Sequence, residues 1–256
     1  MAGIAIVNSA FAQEPTSKKG TPILPHKGNW GIGFDVVPIV KYAGNLFYDS
    51  NNNNDLSINY PLSITASYLR KDNLAYRFRL SLSNTSEKKD TLVPRLGSTN
   101  PNEEVADETK TSENSELIGF GIQRWVGKSR VRGYYGGEGA FIIETSKRSY
   151  SYGNALGSTN PVNTRIKSEK DGTVFGFMAR AFVGVEVFIA PKIALSAEYG
   201  LSPLSIMGKS PHEIVRDSWD GSAVKSETET VTGKSSTIGY FNSDNNNGSI
   251  SLLFYF

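Results

Sequence analysis

Leu74-Ala75-Tyr76-Arg77-Phe78-Arg79-Leu80-Ser81-Leu82 decides how the chain is read. Leu74, Tyr76, Phe78, Leu80 and Leu82 fall on one face and Ala75, Arg77, Arg79 and Ser81 on the other, the period of two that belongs to a β-strand. A soluble sandwich would bury the first face and leave both arginines in water. A membrane barrel would turn the first face to lipid and the arginines to its lumen.

The same parity occurs in seven further segments. Trp30, Ile32, Phe34 and Val36 oppose Gly31, Gly33 and Asp35; Leu62, Ile64, Ala66 and Tyr68 oppose Ser63, Thr65 and Ser67. Ile118, Phe120 and Ile122 oppose Gly119, Gly121 and Gln123, and Val131, Tyr135, Phe141 and Ile143 oppose Arg132, Tyr134, Glu138 and Glu144. The sixth segment sets Phe175 to Val187 against Arg180 and Glu186, the seventh Ile193 to Leu201 against Ser196 and Glu198, and the last Ile250, Leu252, Phe254 and Phe256 against Ser249, Ser251 and Tyr255. The even number of strands, eight, suits an antiparallel up-and-down closure.

Connections separate a membrane barrel from a sandwich, because outer-membrane barrels alternate short periplasmic turns with long outer loops. Strands two and three are joined through Lys71-Asp72-Asn73, four and five through Gly127-Lys128-Ser129-Arg130, and six and seven through Ala190-Pro191-Lys192. The other connections, 42–55, 84–115, 146–172 and 202–247, read as four long extracellular loops. A lipocalin-type barrel would need the opposite polarity, apolar within and polar outside.

The face opposite the apolar one carries Arg77, Arg79, Arg132 and Arg180 against Asp35, Glu138, Glu186 and Glu198. Unpaired charges inside a protein cost several kcal/mol each, so the equal count predicts a paired lumen network. Trp30, Tyr60, Tyr68, Trp125, Tyr199 and Phe256 are expected to form interfacial girdles.

Composition limits the function classes. With 27 basic and 25 acidic residues the net charge of +2 gives no reason to expect a nucleic-acid partner. The absence of Cys removes a disulfide framework, a thiol nucleophile and a Cys-ligated metal. No stretch approaches the roughly 20 apolar residues of a membrane-spanning helix. Ala10-Phe11-Ala12 before Gln13 has the small-x-small form of a signal-peptidase site, although no basic region precedes it. The expected organisation is a signal peptide over 1–12, a periplasmic segment over 13–27 and a transmembrane β-barrel over 28–256, with both termini periplasmic.

The span from Gly28 to Phe256 resembles the small eight-stranded outer-membrane β-barrel family that includes OmpX-like and OmpW-like proteins. The most specific likeness is Ser249-Ile250-Ser251-Leu252-Leu253-Phe254-Tyr255-Phe256, similar to the terminal strand that the barrel-assembly machinery recognises. The resemblance implies Phe254 and Phe256 as the assembly signal, with outer-membrane lipid and lipopolysaccharide as surroundings. It implies no single activity.

No catalytic constellation emerges. Ser210-Pro211-His212-Glu213 reads as the start of a short helix, Ser210 its N-cap and Glu213 closing a capping box. A His near Ser and Glu resembles the triad of outer-membrane lipid-A deacylases, but its local spacing in a loop argues against hydrolysis. His26 reads as a linker residue. The clusters at 49–55 and 242–247 offer oxygen ligands without the spaced carboxylates of a calcium site. Asp90-Thr91-Leu92 fits a short O-glycosylation signal. Leu96-Gly97-Ser98-Thr99-Asn100-Pro101 recurs as Leu156-Gly157-Ser158-Thr159-Asn160-Pro161 in the next long connection, which predicts a shared tip structure and makes Leu96, Asn100, Leu156 and Asn160 contact candidates for a surface protein or glycan. The expected function is a non-enzymatic surface-interaction or envelope-structural role without a cofactor, with a small solute or hydrophobic-molecule channel as the alternative and an outer-leaflet lipid hydrolase behind it.

Overall fold

A computed structural model describes residues 15–36, 62–231, 235–242 and 249–256. The signal-peptide reading, the connection at 42–55 and Tyr60 lie outside them. The described residues form eleven strands and no helix: β1 (Trp30–Asp35), β2 (Leu62–Lys71), β3 (Leu74–Pro94), β4 (Glu104–Val126), β5 (Val131–Ser151), β6 (Thr164–Ala190), β7 (Ile193–Lys209), β8 (His212–Trp219), β9 (Val224–Val231), β10 (Ser235–Asn242) and β11 (Ser249–Tyr255). All pairings are antiparallel. Strands β1 to β7 pair in order, β7 pairs β11, and β11 pairs β1, so eight strands close into a ring.

Parity follows the sequence closely. Gly31 and Gly33 turn inward on β1 and Trp30 and Phe34 outward; on β5 Arg132, Tyr134, Glu138 and Ala140 are buried between exposed neighbours. The register Leu62↔Leu82 to Leu69↔Ala75 keeps each apolar residue of β2 on the same face as its partner on β3. Trp125 departs from expectation. It is buried in the interior and is no part of an outer girdle, because its odd position on β4 shares the inward face with Gln123. Trp30 and Tyr68 do meet outside the wall, their rings 5.0 Å apart, and Tyr199 and Phe256 are exposed.

Three of the four long loops are largely strand. Residues 84–115 continue the β3–β4 ladder up to Pro94↔Glu104, and 146–172 continue β5 and β6 to a tip of residues 152–163. These extensions are polar on both faces, so they lack the hydrophobic alternation by which strands are read. Their backbones are paired all the same, with side chains such as Lys88 and Glu108 meeting across strands at 2.7 Å.

The stretch 202–247 holds the end of β7, then β8, β9 and β10. The helix expected at Ser210-Pro211-His212-Glu213 is a strand break. Pro211 has no N–H to donate, so β7 ends at Lys209 opposite Val174, and β8 resumes on β6 with Glu213 opposite Lys170. Gly172, at φ 59°, makes the matching irregularity in β6. Beyond the break Glu213-Ile214-Val215-Arg216 is β-branched and pairs with β9. An irregularity between Leu201 and Leu204 reverses the parity of β7, so that Ser202 and Ser205 both point inward.

Candidate functional site

Eight strands enclose an interior just wide enough for side chains to fill, and the filling is layered. Nearest the short turns lie Leu69, Ala75, Trp125, Phe188, Ala194 and Tyr255, packed with Ile23 and Leu24 from the segment before β1. Arg132 sits here, with its guanidinium 4.4 Å from the Trp125 ring and 5.0 Å from Phe188. Its Nε donates to Glu186 Oε2 at 3.0 Å, and Nη2 approaches the same oxygen at 2.9 Å.

Above a Tyr134–Phe182 layer, with ring centroids 6.3 Å apart, comes the larger cluster. Arg77 donates to both oxygens of Glu198 at 2.5 and 3.0 Å. Arg180 Nη2 lies 2.9 Å from Glu198 Oε1, and its Nη1 lies 3.5 Å from Glu138 Oε1. Arg79 Nη2 meets Glu138 Oε1 at 2.7 Å. Seven of the eight predicted lumen charges therefore fall in two ion-pair groups. Asp35 is half-buried on β1, opposite Ser251.

The residues that join these groups were not anticipated. Gln123 accepts from Arg77 at 3.4 Å and donates to Glu186 at 3.4 Å, linking the two clusters. Tyr134 donates to Glu198, and Tyr255 to Glu186, each at 3.0 Å. All three lay on the inward face in sequence, and parity was the available signal. Between the charged side chains a void of about 40 Å³ remains, room for isolated waters only.

Ala140, Ile142, Met178, Leu117 and Met207 form an apolar layer above the charges. A cavity of about 360 Å³ opens beyond it, bordered by Ser83, Glu113, Ser115, Glu144 and Lys209. At its rim Asp171 Oδ1 holds Lys209 Nζ at 2.9 Å and lies 3.5 Å from His212 Nδ1. Hydrogen bonding to Lys209 keeps the Asp171 carboxyl below its ordinary value. Ser210 Oγ accepts from Thr173 N at 2.6 Å, so Ser210 and His212 are engaged with β6.

The two Leu-Gly-Ser-Thr-Asn-Pro repeats are the tips of neighbouring hairpins, and one residue joins them. Asn154 Oδ1 accepts from Leu96 N at 2.9 Å, and Asn154 Nδ2 donates to Pro94 O at 3.0 Å. Gly153 N donates to Asp107 Oδ1 at 2.9 Å. Each repeat uses its Asn to close a turn across the proline: Asn100 Oδ1 accepts from Asn102 N at 3.1 Å and Asn160 Oδ1 from Val162 N at 3.0 Å. The likeness is partial. Gly97 is at φ 78° whereas Gly157 is not in that region, and Leu96 is exposed where Leu156 is buried. Glu103 fastens the first tip by accepting from Ser98 Oγ and Arg95 Nη1, each at 2.6 Å; these bonds hold its carboxyl below the ordinary value.

The turn between β8 and β9 is tied by one carboxylate. Asp220 Oδ1 accepts from the Ser222 and Ala223 amides, each at 2.9 Å, and Oδ2 meets Lys225 Nζ at 2.8 Å. Lys225 first, then the two amides, hold the carboxyl well below its ordinary 3.8. A depressed carboxyl contributes its stability in full above the unfolded-state value and loses it as pH falls through the folded one. The turn is thus expected to stay closed from neutrality down to about pH 4 and to loosen below that. Amide exchange at Ser222 and Ala223 measures it: protection should fall in acid, and Asp220→Ala should remove it at neutral pH.

No family model matches this chain, and no curated protein matches it either.

Proposed function

We propose that the chain is an integral outer-membrane β-barrel whose function is a non-enzymatic surface interaction, or an envelope-structural role, through its joined outer hairpins. The observation carrying this reading is an inversion of ordinary burial. Arg77, Glu138, Arg180, Glu186 and Glu198 are buried, while Phe78, Phe120, Phe177, Val183 and Tyr199 stand exposed on the opposite face. Water-soluble proteins do the reverse; a hydrocarbon surrounding accounts for it.

The height of the apolar band agrees. From Val131 to Phe141 the outer face of β5 stays apolar or glycine, a rise of about 33 Å along the strand and roughly 25 Å vertically at a tilt of about 40°. Strands continue well past this band, which would carry the two repeat tips clear of lipopolysaccharide headgroups toward a surface protein or glycan. Phe254 on the closing strand and Phe256 just after it are both exposed, which suits recognition by the barrel-assembly machinery. Among the described residues the charged layer is closely filled, with a void of only about 40 Å³ between its side chains, which makes a channel the weaker reading.

One experiment separates the two halves of the proposal. Residues 95–103 and 152–163 are each replaced by Asn-Gly, and both forms are refolded into vesicles whose acyl chains are brominated near the headgroups. Trp30 fluorescence should be quenched in both, while Trp125, left as the only tryptophan in a companion variant, should not. Absence of Trp30 quenching would refute membrane insertion. Cells displaying the shortened form should lose binding to a glycan and matrix-protein panel; unchanged binding would remove the tips from the reading.

A further inference from the structure

Residues 15–28 carry a feature that their sequence did not announce. Ile23, Leu24 and Pro25 are buried, Ile23 and Pro25 wholly. Thr16 bridges Pro22, and Ile23 N donates to Pro15 O at 3.0 Å, so the segment is a small hairpin of its own. It is fastened at two places. Lys27 N donates to Asp72 Oδ1 at 2.7 Å and Gly28 N to Leu69 O at 2.8 Å, while Lys192 N donates to Ile23 O at 3.0 Å. Asp72 belongs to the β2–β3 turn and Lys192 to the β6–β7 turn. In a ring ordered β1 to β7 and β11 these turns are four strands apart, that is, on opposite sides of the opening.

We infer that residues 15–28 are a plug lying across the short-turn end of the ring, seated only once the ring has closed. Leu24 and Pro25 roof a cavity of about 170 Å³ bordered by Asn73, Trp125, Lys128 and Arg132, so the plug separates solvent from the Arg132–Glu186 pair. Closure comes first because one anchor lies on each side of the opening. The second side also meets the seam, since Tyr255 N on β11 donates to Lys192 O at 2.8 Å. The inference rests on the ring alone and does not need the membrane reading.

The chain has no cysteine, so Leu24→Cys introduces a single thiol at a seated position and Lys18→Cys one at an exposed position. In detergent-folded full-length protein, maleimide should modify the first on the order of 100-fold more slowly than the second. Equal rates would overturn the plug. Ile23→Asp in the Leu24→Cys background should raise the rate toward the Lys18→Cys value with strand content unchanged; no rise would count against docking through Ile23. During refolding, protection of the Leu24→Cys thiol should lag behind strand formation measured by circular dichroism. Protection that develops together with the strands, or ahead of them, would overturn the order of seating.

Discussion

Arg132→Met is expected to destabilise the folded chain by about 3–5 kcal/mol, more than loss of any other single lumen cation. Glu186, 1 % exposed, has Arg132 as its only cation within ion-pair distance among the described residues; its other contacts are neutral, to Tyr255 and Gln123. Methionine approximates the stem volume, so most of the cost is an uncompensated buried carboxylate. Adding Glu186→Gln should restore more than half of the loss, because a neutral amide costs far less to bury. Urea titration of the refolded proteins measures both. A single variant with near wild-type stability would show that burial of Glu186 does not depend on Arg132.

The same reasoning lowers the expectation for loss of Arg180. Both its partners have a second cation: Glu198 keeps Arg77, and Glu138 keeps Arg79 and Arg77. Equal counts of charge predict pairing, but they do not predict which group depends on a single partner. That depends on strand neighbours, and an unaligned strand order cannot supply it.

Much of the ring was legible for one reason. Where one face is apolar and the other is not, parity fixes which way every side chain points, and Leu74 to Leu82 shows this residue by residue. The polar extensions were not legible, because Ser, Thr, Lys and Glu on both faces erase the period while leaving the backbone free to pair. Ser210-Pro211-His212-Glu213 carries the residues of a helix start, and that expectation fails because the ladder from β8 to β6 holds the segment extended. Ile23-Leu24 gave no signal. Two apolar residues in a polar segment have no periodicity, and their burial depends on turns some 50 and 170 residues away, separations too long for local pattern to register. The joining of the tips was foreseeable from adjacent hairpins, but the residue that joins them, Asn154, stands just outside the repeat.

Gly121→Ala is expected to cost about 3 kcal/mol or more, although the side chain added is one methyl group. Gly121 stands on β4 between Arg77 on β3 and Glu138 on β5, in register with both. For Glu138 to reach Arg77 and Arg79 its carboxylate must cross the intervening strand, and only a residue without a side chain leaves that lane open. A Cβ at Gly121 would fall on the Gly137 carbonyl oxygen and on Cα and Cβ of Glu138. Backbone on one side and a buried ion pair on the other cannot both move away. Gly184 opens the corresponding lane on β6, where an added Cβ would fall on the Tyr134 ring and hydroxyl that reach toward Glu198. Gly139 is the control. It faces outward, with nothing within 4 Å of an added Cβ, so Gly139→Ala should change stability by no more than about 0.5 kcal/mol. Urea midpoints for the three alanine variants test this. If Gly121→Ala and Gly139→Ala unfold together, the inward glycines are not what lets carboxylates on one strand reach arginines two strands away, and the network must tolerate rearrangement that its buried geometry does not suggest.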